Sequence, residues 1–179
     1  LLPAFHNTFD SLISFINSHH IITIPSTVQP TLEETPPFMR ATTFASMDPP
    51  GPFETHSTKA YFNVTLPEKD WTPQHTREFM AQFSYPVISS IAVHEAYPGH
   101  YVQFLWMHKL DDRVRKLLGC NTNAEGWAHY CEQMMLDEGL AENMYPNDKR
   151  QQLLLRLGQL QDALLRNARF VVGIKLHTG

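Results

Sequence analysis

The chain is poor in the features that mark many binding functions. It has two cysteines in 179 residues, Cys120 and Cys131. They form no close-spaced metal motif, and neither fixes the redox compartment. Lysine and arginine number 14 against 18 acidic residues, for a formal net charge of -4. With no cationic run anywhere, a nucleic-acid partner is excluded on charge. No segment is long and apolar enough to span a bilayer. The stretch Leu1 to Ile24 is apolar in places, but Asp10, Asn17, His19 and His20 interrupt it, and it lacks the basic start of a secretory signal. No repeat or low-complexity linker divides the chain. Its length therefore suggests one domain with one substantial core.

What the chain does have is histidine, ten in all, and two of them stand close together. His94-Glu95-Ala96-Tyr97-Pro98-Gly99-His100 closes an apolar run from Val87 to Val93. Neutral imidazoles are good zinc ligands, and a carboxylate between them can move a proton during hydrolysis. The familiar zincin pattern, H-E-x-x-H, sets its histidines one helical turn apart. Here the spacing is six. At about 100° per residue, positions four apart differ by about 40° around a helix, and positions six apart by about 120°. A straight helix would splay His94 and His100. Pro98 has no N–H to give the carbonyl of His94, and its ring clashes there. Gly99 allows backbone conformations closed to other residues. The sequence thus predicts a break at Pro98-Gly99 that swings His100 back toward His94.

A third ligand is needed, and Glu125 in Asn123-Ala124-Glu125-Gly126-Trp127-Ala128-His129-Tyr130 is the best candidate. Asn121, Thr122 and Asn123 are suitable helix caps, and the run to about Leu136 reads as a helix. Glu125 would sit in its first turn, where the helix dipole also favours a carboxylate. His129 follows one turn later on the same face, placed to support the ligands from behind. A His-Glu helix followed by a helix bearing a carboxylate ligand is a thermolysin-like arrangement.

The remaining chain reads as mainly α with a small β component, an α+β fold. Leu1 to about His19 looks helical, and Ile21 to Glu34 extended. Pro36 to Phe53 reads as loop crossed by one short strand, and Ala60 to Leu66 as a strand. Thr72-Pro73 begins a helix to about Phe83, and Ser84 with Pro86 begins the metal helix. The last helix, about Asp148 to Leu176, has an apolar face of Leu153, Leu157, Leu160, Leu164, Ala168 and Val171. Its narrow polar strip is Gln159, Asp162, Arg166 and Arg169. A helix this apolar is expected to be central, and a polar strip inside a core needs polar company.

Three ordered motifs carry a family resemblance. The His94–His100 motif, Glu125-Gly126-Trp127-Ala128 and Leu176-His177-Thr178 resemble those of the proteins grouped as domain of unknown function 885. The likeness extends through Tyr61 to Glu68 and Leu164 to Phe170, covering most of the chain from about Met39 onward. One departure is Gly173, where members often carry an acidic residue. The resemblance implies a gluzincin-like, mostly helical metallopeptidase catalytic region. It implies one zinc ion held by His94, His100 and Glu125, with Glu95 as the base. It further implies that these 179 residues are the C-terminal catalytic part of a longer protein, with segments of the same chain missing on both sides. It also directs the last helix's polar strip to the active-site cleft, with His177 at its end. By analogy with zincins, Ala60 to Leu66 is a candidate edge for pairing with a substrate backbone.

The expected chemistry is hydrolysis of a peptide or small amide, with Glu95 taking a proton from water and returning it to the leaving amine. His177 is the first choice as donor to the developing oxyanion, Tyr97 or Tyr130 the second. Arg166 belongs to the polar strip, and Arg169 is a candidate for gripping a substrate carboxylate or organising the ligands' surroundings. Two alternatives remain: a zinc hydrolase acting on esters or non-peptide amides, and a non-catalytic metal-binding domain. The presence of Glu95 argues against the latter, since a structural zinc needs no base and keeps no open position.

Overall fold

The protein is described by a computed structural model covering residues 1–56 and 58–179. It is mainly helical with one small sheet, the α+β class expected. Helix α1, Leu2–Ser18, starts with Pro3 in its first turn and buries Phe5, Phe9, Leu12, Phe15 and Ile16 along one side. That spacing of three or four residues gives an apolar stripe facing the core.

Three four-residue strands follow: β1 (Thr31–Glu34), β2 (Ala45–Asp48) and β3 (Tyr61–Val64). The sheet order is β1-β3-β2. Strand β3 pairs parallel with β1, Thr31 opposite Tyr61, and antiparallel with β2, Ala45 opposite Val64. Phe62, Asn63 and Val64 are all buried, as a central strand requires. The expected substrate-pairing edge at Ala60 to Leu66 is therefore corrected: both edges of β3 are hydrogen-bonded, and β2 is the outer strand on the side of the helix that carries His94.

Helix α2, Pro73–Ala81, is capped by the Thr72 hydroxyl, which accepts from the His75 N–H. Helix α3, Tyr85–Glu95, is the hub, packing against α1, β2, α6 (Asn121–Asp137) and α8 (Lys149–Thr178). Ile88, Ser89, Ser90, Ala92, Val93 and His94 are buried in it, matching its nearly continuous apolar sequence. Helices α4 (His100–Lys109), α5 (Arg113–Leu117) and α7 (Leu140–Met144) complete the order. Among the described residues, no helix is long and apolar enough to cross a membrane.

Helix α8 turns its polar strip inward at Gln159, which is buried, and at Arg166, which reaches the buried Glu132. Its leucine face lies outside, Leu157 being 58% and Leu164 69% exposed. A buried carboxylate on α6, described below, requires the arginine, and the helix cannot also turn its opposite face to the same neighbours.

Candidate metal centre

The backbone around Pro98 makes the site possible. Helix α3 ends at Glu95 and α4 begins at His100, with a cis Tyr97–Pro98 peptide between them. The turn is closed by the N–H groups of Ala96 and Tyr97 donating to the Ala92 carbonyl, and that of Gly99 donating to Val93. From the side, Trp127 on α6 donates its indole N–H to the Pro98 carbonyl at 3.0 Å. Gly99 is required for space: a Cβ there would lie 1.8 Å from the His94 carbonyl oxygen and 2.4 Å from that of Val93.

The break brings the two imidazoles together, their centroids 4.8 Å apart and their planes nearly perpendicular. Glu125 faces both. Its Oε2 lies 3.4 Å from His94 Nε2 and its Oε1 3.6 Å from His100 Nε2. One donor atom from each residue falls within a common 4.8 Å span. Bonds of about 2.0–2.2 Å in a tetrahedron leave neighbouring donor atoms about 3.3–3.6 Å apart; the two N···O spacings, each to a different oxygen of Glu125, are of that size, so the three residues could hold a metal ion. The helix carrying Glu125 starts at Asn121 with Cys120 at its cap position. Glu125 thus lies beyond the first turn, and the dipole account of that carboxylate is set aside.

His100 is chemically ready to be a ligand. Burial, followed by the nearby His94 charge, pulls its pKa down to about 4, so its ring is neutral and a nitrogen lone pair is free. His94 is pushed the other way. Burial lowers its pKa, but the hydrogen bond to Glu132 and the charges of Glu95 and Glu132 together raise it. That bond, His94 Nδ1 to Glu132 Oε1, is 2.6 Å long, and the Glu132 side chain is fully buried. Arg166 donates to the other oxygen of Glu132 at 2.7 Å and lies 3.3 Å from the Nδ1 atoms of both His94 and His129.

Glu132 is the residue of the candidate site that sequence reasoning missed. It follows Glu125 by seven positions, only about 20° around the helix, so a second carboxylate on the ligand-bearing face was available as a signal. His129, named in its place, is half-exposed and sits 3.7 Å from Glu132. It lies at the margin of the network, while Glu132 is its centre.

Glu95 stands next to the ligands, accepting the Met47 N–H from the free edge of β2 at 3.1 Å. Its burial pushes the carboxyl up to about 7; His94 and the Met47 N–H pull against this, while Glu125 adds to it. The surrounding cleft, about 910 Å³, has Thr43, Ala45, Ser46 and Met47 on the β2 side. Gln103, Phe104, Trp106 and Met107 of α4 line it as well, and Leu118 to Asn121 with Asn123 to Glu125 close the wall from the α5–α6 side.

The remaining sequence candidates lie elsewhere. Tyr97 is buried against Phe9 and Tyr101 and does not line the cleft. Its hydroxyl titrates well above the usual range because burial disfavours the phenolate, which makes it a core residue. Tyr130 is exposed beside Trp127 and also stays outside the cleft lining. His177 is exposed near the far end of α8, its Nδ1 bonded to the Gly173 carbonyl of the same helix. A rigid helix carries it away from Arg166 at about 1.5 Å per residue. Arg169 is exposed and absent from the cleft lining. None of these four reaches the metal cluster.

Among curated proteins none matches the chain. A solved structure from Shewanella oneidensis, that of a candidate lipoprotein of unknown function, is similar with a TM-score of 0.68 and 28% identity. The match covers 87% of this chain and 26% of that one, so the present sequence spans about a quarter of the longer protein. The model of a family described as "Bacterial protein of unknown function (DUF885)" matches residues 1–179, and with the whole chain matched, the protein belongs to that family.

Proposed function

We propose that this chain carries the catalytic site of a gluzincin-like zinc metallopeptidase. The observation that carries the reading is the convergence of His94, His100 and Glu125 at zinc-ligand spacing, beside a fourth residue, Glu95, that is free to act as a base. A bound zinc would supply Lewis acidity, stabilising negative charge on the oxygen of the scissile carbonyl. The other tasks fall to the chain. Glu95 takes the proton of the attacking water and returns it to the leaving amine. A carboxyl that titrates near neutrality is suited to both transfers. Met47 holds that carboxylate at the cleft floor through its backbone N–H.

The free edge of β2 supports a peptide substrate. An extended chain laid beside Ala45 to Met47 would find the Ala45 N–H and the Met47 carbonyl on that edge, the Met47 N–H being held by Glu95, and would gain main-chain hydrogen bonds independent of its side chains. Phe104, Trp106 and Met107 offer an apolar wall for a substrate side chain.

The test is the Glu95→Gln protein. Zinc content should match that of the parent chain, while hydrolysis of a peptide library disappears. Turnover at the parent rate would refute the role of Glu95, and a parent chain that takes up no zinc would refute the metal site itself. Parallel ester and non-peptide amide substrates distinguish peptidase activity from a broader hydrolase.

A further inference from the structure

Each ligand histidine has one ring nitrogen left once the other faces the ion. For His94 it is Nδ1, held by Glu132. For His100 it is again Nδ1, buried and without a hydrogen-bond partner among the described residues. With Nε2 turned toward Glu125, the single proton of a neutral imidazole belongs on that Nδ1. A buried N–H donor is thus left unanswered.

The complementary group lies one turn along the same helix. The side-chain Oε1 of Gln103 is a buried acceptor, also without a partner. Positions three apart on a helix share a face, and both residues line the cleft. Phe104 stacks against the His100 ring with centroids 5.8 Å apart, so that neighbour covers the imidazole without offering it an acceptor. Another unpaired group in the cleft, the Ser46 hydroxyl, has a nearer counterpart. It sits in register with Asn63 across the sheet, and the Asn63 Oδ1 is itself unpaired among the described residues.

We propose that Gln103 is the positioning residue for His100, its side-chain carbonyl accepting the Nδ1 proton when the site is loaded and so presenting Nε2 to the ion. The inference rests on the zinc reading above. The two histidines would then be held differently, His94 by a charged carboxylate fixed by Arg166 and His100 by a neutral amide on its own helix. Both groups lie on one face of α4, three positions apart, where side chains are neighbours.

The experiment measures zinc affinity by competition with a chelator for the parent chain, Gln103→Leu and Gln103→Glu, along with the melting temperature of each metal-free protein. Loss of an outer hydrogen-bond partner lowers metal affinity about 10–100-fold, and that drop is expected for Gln103→Leu. Its metal-free melting temperature should hold or rise, because an apolar group replaces an unpaired buried acceptor. A purely structural role would lower both together. Gln103→Glu retains an acceptor and should bind zinc at least as tightly as the parent. Parent-like affinity in Gln103→Leu, or lost affinity in Gln103→Glu, overturns the proposal while leaving the zinc site standing. A parent chain without zinc affinity overturns both.

Discussion

Replacing Gly99 by alanine tests whether the helix break builds the site. The added Cβ would start 1.8 Å from the His94 carbonyl oxygen and 2.4 Å from that of Val93, where real contacts essentially never fall below 3.0 Å. Relief requires a displacement of about 1.2 Å, and both obstructing atoms are backbone. No side-chain rotation can absorb it. The shift must open the turn between α3 and α4, moving the backbone of one ligand histidine away from the other. Functional constellations tolerate only about 0.5 Å of misplacement, so the displacement exceeds the tolerance more than twofold. Overpacking of this kind typically costs about 1–3 kcal/mol of stability. Zinc affinity should fall by more than the about 10–100-fold expected when a supporting contact is lost. Denaturant titration of the metal-free protein and chelator competition measure the two effects. A Gly99→Ala protein that binds zinc like the parent would refute the account of the motif's six-residue spacing.

Two further outcomes follow from the packing. Glu132→Leu leaves His94 and Arg166 without their shared acceptor. Breaking a buried ion pair by removing one partner costs about 3–5 kcal/mol, and the partial exposure of Arg166, 31% of its side chain, places the expectation near the lower end. Adding Arg166→Met should recover part of the stability and none of the zinc affinity; recovery of both would show that Glu132 does not serve His94. On the outer face of α8, Leu157→Gln with Leu164→Gln should change stability by less than about 1 kcal/mol, since exposed positions contribute within about 0.5 each. Binding of an apolar dye and self-association should both fall. A loss of several kcal/mol would show that this face is packed in the molecule as it exists in solution.

Residues whose conformation depends on near neighbours were legible in the chain itself. Pro98 stops a helix through its own ring and missing N–H, so the break was readable from one position. Thr72 and Asp148 mark helix starts through hydrogen bonds within their own first turns. The stripe from Phe5 to Ile16 reports a buried helix face through periodicity alone. Glu125 was legible as a ligand candidate because the chemistry of zinc asks for a third donor, and a helix bearing a carboxylate follows.

Tertiary structure decided everything that depends on residues far apart in the chain. Whether β2 or β3 forms the free edge is set by β3 pairing on both sides, a matter of contacts spanning tens of residues. Sequence showed that α8 has two faces, and the family resemblance directed the polar one toward the site, but the partner of that polar face was not legible. Apolar area favoured the leucines, whereas a fully buried Glu132 demands a cation, and Arg166 meets that demand. The same long-range packing leaves Tyr97 in the core and His177 and Arg169 outside the cleft. Composition and spacing could name candidate ligands because metal chemistry restricts their type. They could not supply the residues that brace His94, since Glu132 and Arg166 reach it only when α3, α6 and α8 meet.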